Sequence, residues 1–300
     1  PADNMSETRH DTGALSALAQ ELLQRLGIHR SVEWTVPSCE LQRELATMCW
    51  PCSSAVLRAE MLMGGLCRTP SGVFGIHASL RYLRGEVPWD RDDLQEYGSR
   101  ADPRDASQTL LPLWMLDDPR VWLAQDGCVF YGSHVDGPEY FTLAFEDVCH
   151  HWESMALLDG YVVAYHRPHI VPRPRLESSC FVGEAAAREL GVSAFAPGTR
   201  GRTRAWTGPG VSVVELDIPG FKQGTDVVSD SVEGVVLAAA QALDTGGAAR
   251  ITSPEPLDAD LLRELPVCSG QERPFSACHV YRWGKFSSYE DDRYRRRHRS

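Results

Sequence analysis

Residues Val121 to Leu158 constrain the fold more tightly than any other stretch of this chain. Val121-Trp122-Leu123-Ala124 and Cys128-Val129-Phe130-Tyr131 are β-rich runs joined through Gln125-Asp126-Gly127. An Asp-Gly pair between two such runs predicts a hairpin, because a tight turn needs positive φ and glycine takes it without a steric cost. A polar loop and Tyr140-Phe141-Thr142-Leu143 follow. Phe145, Val148, Cys149, Trp152, Met155 and Ala156 then recur at helical spacing, which gives one apolar helix face. Hairpin, strand and covering helix form a folding unit with no reactive centre of its own.

The rest of the chain follows the same alternation. After Asp11-Thr12, Leu15, Leu18, Ala19, Leu22, Leu23 and Leu26 keep helical spacing up to the stop at Gly27, so an amphipathic helix packed on its own body is predicted. Residues 31–36 read as a strand, and 41–63 as helix interrupted at Pro51. Val73 to Ile76 reads as a strand and Ala78 to Leu83 as a short helix. The charged run 89–108 reads as a loop, and 110–116 as extended. Beyond 161–165 the Pro-rich segment 166–175 marks a boundary. Cys180 to Val182 then looks strand-like, Glu184 to Leu190 helical, 197–209 a mobile loop and Val211 to Ile218 a strand. Ser229 to Leu243 and a segment near 257–265 look helical, and 278–283 a final strand. The expected division is 1–30 (an appended remnant, Pro1 to Asn4, and the first helix), 31–165, 166–285 and a basic tail, 286–300.

The second half repeats the order of the first. Phe74-Gly75 and its small helix are answered by Phe181-Val182-Gly183 and theirs. Asp126-Gly127-Cys128-Val129 is answered by Pro209-Gly210-Val211-Ser212, and Phe145-Glu146-Asp147-Val148 by Val232-Glu233-Gly234-Val235. This order, with its Gly-x-Val-aromatic hairpin and Phe-Glu-x-Val helix, resembles the SUKH superfamily of cell-wall assembly regulators and toxin-immunity proteins. Tandem degenerate copies in one chain more specifically resemble its viral branch, the herpesvirus US-twenty-two family with relatives in avian adenoviruses. The resemblance spans roughly residues 31 to 250 and is best at Gly127 to Trp152. It implies an α+β fold of two SUKH-like modules, each a small mostly antiparallel sheet packed by helices. It implies no catalytic residues, and work by binding host defence or regulatory proteins.

Composition narrows the function. A formal net charge of −11 over 300 residues disfavours a general binder of nucleic acid or anionic membrane. Nine irregularly spaced Cys do not form a disulfide framework and suit a reducing compartment. No signal peptide and no run of membrane-spanning length is read, so an intracellular protein of host nucleus or cytoplasm is expected.

Chemistry-bearing motifs are few. Cys49-Trp50-Pro51-Cys52 could be redox-active or half a zinc site, but a zinc site needs a second ligand pair, and the neighbouring Cys39 and Cys67 are singly placed. His150-His151 and His166-x-x-His169 lack carboxylate partners at metalloprotease spacing, and one of the first pair is expected to face solvent. Gly198, Gly201 and Gly208 alternate with Arg200, Arg202 and Arg204 without a following helix, and Asp90, Asp92 and Asp93 lack the rest of a calcium loop. No cofactor, metal or catalytic residue is therefore assigned.

Binding features remain. Trp89, Arg202, Arg204 and Trp206 lie in loop-like sequence and are the candidate partner anchors. Arg293, Arg295, Arg296, Arg297 and Arg299 form a basic cluster that suits nuclear import, with at most a few phosphate contacts. Thr47, Met48, Cys52 and Val56 faintly resemble the elongin-binding box of ubiquitin-ligase adaptors, although Pro51 falls inside it. The expected function is that of a non-enzymatic viral regulator acting in immune evasion through protein binding. The alternative is a bacterial immunity protein whose acidic surface covers a nucleic-acid-degrading toxin.

Overall fold

The computed structural model describes residues 15–67, 73–85, 100–114, 121–132, 141–158, 173–219, 222–245, 249–253 and 278–282. The chain forms two compact units. Unit 1 is Pro1–Ala156 with Arg200–Arg202 and Ile218–Phe221, and unit 2 is Leu157–Thr199, Thr203–Asp217 and Lys222–Ser300. Both contain helices and antiparallel sheet.

Unit 1 opens with α1 (Ala17–Arg25), whose N-cap is Ser16; its hydroxyl accepts from Ala19 N at 3.1 Å. Leu15, Ala19, Leu22 and Leu23 are buried, and Gly27 at φ +71° ends the helix. Strands β1 (His29–Arg30), β2 (Leu66–Cys67) and β3 (Val73–Phe74) make a small antiparallel sheet. The strand expected over 31–36 is instead a 3₁₀ turn, Val32–Trp34. The long helical pattern splits at the proline, as expected, into α2 (Ser38–Thr47) and α3 (Ser54–Met63). Cys49 at φ +55° sits where glycine usually ends a helix, while Cys49 N and Trp50 N donate back to Ala46 O and Leu45 O at 3.1 and 2.9 Å. Helix α4 (Ile76–Gly85) follows β3.

A five-stranded antiparallel meander comes next: β4 (Arg100–Asp102), β5 (Asp105–Trp114), β6 (Val121–Leu123), β7 (Val129–Tyr131) and β8 (Thr142–Phe145). The predicted hairpin is its β6–β7 pair, with Gly127 at φ +96° in the turn. The charged run read as a loop over 89–108 is corrected for 100–108, which form the β4–β5 hairpin; 86–99 lie outside the described residues. Its charge is consumed locally. The Arg104 guanidinium bonds buried Asp102 at 2.7 Å and Asp126 at 2.8 Å, and lies 4.8 Å from the Phe130 ring centroid.

Helix α5 (Val148–Leu157) closes the unit and is buried along nearly its whole length. Neither His150 nor His151 faces solvent, contrary to the expectation from its amphipathic spacing: they are 3% and 0% exposed. Ser16, the N-cap of α1, also reaches α5, its hydroxyl donating to Glu153 at 2.7 Å. A helix buried nearly all round no longer reports solvent through its polar residues.

Unit 2 is a seven-stranded sheet in the order β10-β11-β12-β13-β9-β14-β15. Its strands are β9 (Arg175–Ser178), β10 (Ser193–Ala194), β11 (Thr203–Gly208), β12 (Val211–Ile218), β13 (Lys222–Ser229), β14 (Ala249–Ser253) and β15 (Cys278–Arg282). Helix α6 (Gly183–Glu189) follows β9, and α7 (Val232–Asp244) follows β13. Leu176, Val213, Val227 and Ile251 pack with Val235, Ala238, Ala239 and Ala242 of α7. The small residues at i, i+3, i+4 and i+7 let that helix approach the sheet closely. Three expectations change here. Cys180–Val182 is not a strand, since Val182 is the N-cap of α6; 203–208 is not loop, since β11 occupies it; and β13 was not anticipated. The covering helices also align differently from the hydrophobic pattern. Asp147 accepts from His150 N and Ser231 from Gly234 N, so Val148 corresponds to Val232, three residues before Val235. The predicted helix near 257–265 lies outside the described residues.

Pairing of β13 with β9 depends on one glycine. Gly224 has φ +131°, and a Cβ there would fall 1.9 Å from Ser178 O. Gly224→Ala is expected to destabilise unit 2 by several kcal/mol, since both the backbone strain and the collision act on two central strands. Urea unfolding followed by far-UV circular dichroism checks this; a midpoint unchanged within error would refute it.

Candidate functional site

The most chemically loaded place among the described residues is a pocket of about 250 Å³ in unit 1, between the 3₁₀ turn, α2 and α3. Leu41 and Glu60 are its buried lining residues, while Pro37, Ser38 and Met61 are exposed at its rim. Val36, Leu57 and Arg30 complete the surface that a ligand would meet, together with Thr35.

Glu60 occupies this place because it shares the buried face of α3. Val56, Ala59, Glu60 and Met63 are all buried, at the spacing of a core-facing stripe. A carboxylate on such a stripe needs partners, and the start of α4 provides them. Ile76 N and His77 N donate to Glu60 Oε2 and Oε1 at 2.6 and 3.3 Å, satisfying helix amides that have no intrahelical acceptor. Two glycines leave the room. A Cβ at Gly64 would sit 2.5 Å from Glu60 Oε1, and one at Gly75 3.0 Å from it.

The electrostatics of the pair are set by burial. Desolvation pushes the Glu60 carboxyl up to about 7, against the opposing pull of the two amides, His77 and Arg30. Burial likewise lowers Arg30, opposed by the Glu60 charge. The Arg30 guanidinium donates to Leu62 O, and its buried Nε has no acceptor. His77 is held in turn by Glu44 at 2.8 Å. The pocket thus offers a donor and an acceptor beside apolar walls, an arrangement suited to orienting a small polar-tipped group.

A second unusual centre lies in the core of unit 1. His151 stacks on Phe74 with ring centroids 5.7 Å apart and meets Tyr131, Phe145 and Trp152 edge-on. Neither ring nitrogen of His151 has a hydrogen-bond partner, and burial, with His150 beside it, drives its pKa down to about 3. It is a neutral, fully buried ring in an aromatic box.

The anticipated anchors are scattered. Arg204 is exposed and lies 3.8 Å from Glu215; Trp206, two residues on along β11, is half-buried against the core and over Gly183. Trp206 therefore stands on a strand and not in a loop. Arg202 is exposed, and Arg200 of the same turn pairs with Asp147 at 2.7 Å. Trp89, His166, His169 and the tail arginines 293, 295, 296, 297 and 299 lie outside the described residues. Thr47, Met48, Cys52 and Val56 do not share a helix: the first ends α2, Val56 belongs to α3, and Met48 and Val56 are buried. The αL turn at Cys49 and the proline at 51 break the helix that an elongin-binding box requires. Cys49 and Cys52 are exposed thiols, and among the described residues no three His, Cys, Asp or Glu side chains gather as metal ligands. No described helix is long and apolar enough to cross a membrane.

The Arg30–Glu60 pocket had no local sequence pattern. Its signal was a charged residue on the apolar stripe of α3, followed at once by Gly64-Gly65. No protein-family model, curated protein or solved structure matches the chain.

Proposed function

We propose that this chain is a non-enzymatic regulatory protein of the viral SUKH-like type, whose two units bind host proteins to counter defence or alter host regulation. The observation that carries the reading is the repeated order of elements. Unit 1 runs β3, α4, the β4–β8 meander and α5; unit 2 runs β9, α6, the β10–β13 meander and α7. In each, a positive-φ glycine, Gly127 or Gly210, turns the meander, and an Asp147 or Ser231 side chain caps the closing helix. Independent origins rarely reproduce turn and cap positions in the same order, so duplication of one module is favoured. The resemblance based on that order implies a binding role, and the acidic balance of the chain suits basic protein surfaces. The basic cluster ending at Arg299 would give entry to the nucleus.

Affinity capture from host-cell lysate with the full chain, and with residues 286–300 removed, tests both parts. The full chain is expected to retain a reproducible set of host proteins and to enter the nucleus. The shortened chain is expected to keep the proteins and lose nuclear entry. Retention of none, with exclusion of the full chain from the nucleus, overturns the proposal.

A further inference from the structure

We propose that the Arg30–Glu60 pocket is an anchor site for a tyrosine side chain of a partner protein, an inference that rests on the protein-binding reading above. Size comes first. A volume of 250 Å³ is below that of sites for drug-sized ligands, which suits one large side chain. Side chains that carry binding energy by filling such pockets are chiefly Trp, Tyr and Arg. Arg30 at the pocket repels an arginine. The remaining choice turns on the polar groups.

Glu60 has about four acceptor positions, of which Ile76 N and His77 N use two. Arg30, in the pocket wall, carries five N–H donors, of which one goes to Leu62 O. A ligand that only donates, such as an indole N–H, serves Glu60 and leaves Arg30 unimproved. A phenol oxygen donates and accepts at once, so it complements both. The ring would lie against Val36, Leu41 and Leu57. Outside the pocket, Met61 is 55% exposed and Val32, in the preceding turn, 86% exposed, which supplies apolar surface for residues flanking the tyrosine.

The test uses the full chain with p-cresol and toluene as probes, read by amide shifts of Ile76 and His77 and the methyl shift of Met61. Saturable p-cresol shifts are expected, with a Kd on the order of 1 mM for so small a probe. Toluene, with the same ring and no hydroxyl, is expected to bind at least about tenfold more weakly. Leu57→Trp, which fills the pocket, is expected to abolish the p-cresol shifts. Glu60→Gln is expected to narrow the gap between the probes. Absence of saturable shifts, equal binding of the two probes, or unchanged p-cresol binding to folded Leu57→Trp overturns the assignment. None of these results alters the outcome of affinity capture, so the pocket and the general binding function fail separately. The two-probe comparison in the unmodified chain decides the matter even where a variant does not fold.

Discussion

Asp226→Ala is expected to lower the unfolding free energy by roughly 3–5 kcal/mol, the cost of removing one member of a buried ion pair. The carboxylate lies on β13 with its side chain 2% exposed, accepting a hydrogen bond from Arg175 at 2.7 Å and ion-paired with Lys222 at 2.7 Å. Strand alternation explains the placement. Leu176 and Val227 face α7, so Arg175 and Asp226 are delivered together to the opposite face, where the β9–β13 register sets Asp226 beside Glu177. Removing the carboxylate leaves two cations with reduced compensation, and Arg175 is itself only 8% exposed. Replacing both partners with apolar residues, Arg175→Met with Asp226→Leu, is expected to be far less damaging than the single change, because no charge then remains buried opposite a lost partner. Urea midpoints of the two single variants and the double variant form the measurement. Additive effects would show that the pair is not coupled.

Local signals sufficed where one residue dictates backbone geometry. Gly127 turns the β6–β7 hairpin, Pro51 separates α2 from α3, and Val211–Ile218 alternates as a strand should. They failed where the decisive partner is remote. Strand β13 begins Lys222-Gln223-Gly224, a polar, glycine-containing run with turn-like composition, and it is a strand because Gly224 fits against Ser178 O. Arg204 and Trp206 resembled an exposed loop because glycines and arginines surround them; pairing with Val213 and Glu215 makes them strand. The candidate site was hidden for the same reason. Arg30 and Glu60 are thirty positions apart, and the acceptor role of Glu60 depends on amides at 76 and 77.

Glu60 and His151 are expected to give unit 1 opposing pH dependences that cancel in the unmodified chain and separate in variants. The folded state raises Glu60 from 4.5 to about 7, so it holds a proton that the unfolded chain releases. The stability from this group is fully present below pH 4.5 and is lost as pH rises through 7. His151 falls from 6.5 to about 3, so the unfolded chain takes a proton that the folded state refuses. Its contribution is present above pH 6.5 and is lost as pH falls through 3. Between pH 4.5 and 6.5 each proton is worth about 1.4 kcal/mol per pH unit, with opposite signs. Glu60→Gln removes the first slope, so stability should drop by roughly 2 kcal/mol more than in the unmodified chain between pH 6.5 and 5. His151→Phe, which preserves an aromatic ring against Phe74, removes the second. Its stability should climb by roughly 3 kcal/mol relative to the unmodified chain as pH falls from 6.5 to 4.5. Glu60→Gln also leaves one of the Ile76 and His77 amides without its acceptor, which costs about 1–3 kcal/mol at every pH and shifts the curve without tilting it. The tilt is therefore the diagnostic. Variant-minus-unmodified stabilities from urea unfolding at pH 4.5, 5, 6.5 and 7.5 give it, and parallel profiles for all three proteins would show that neither group titrates as its burial requires.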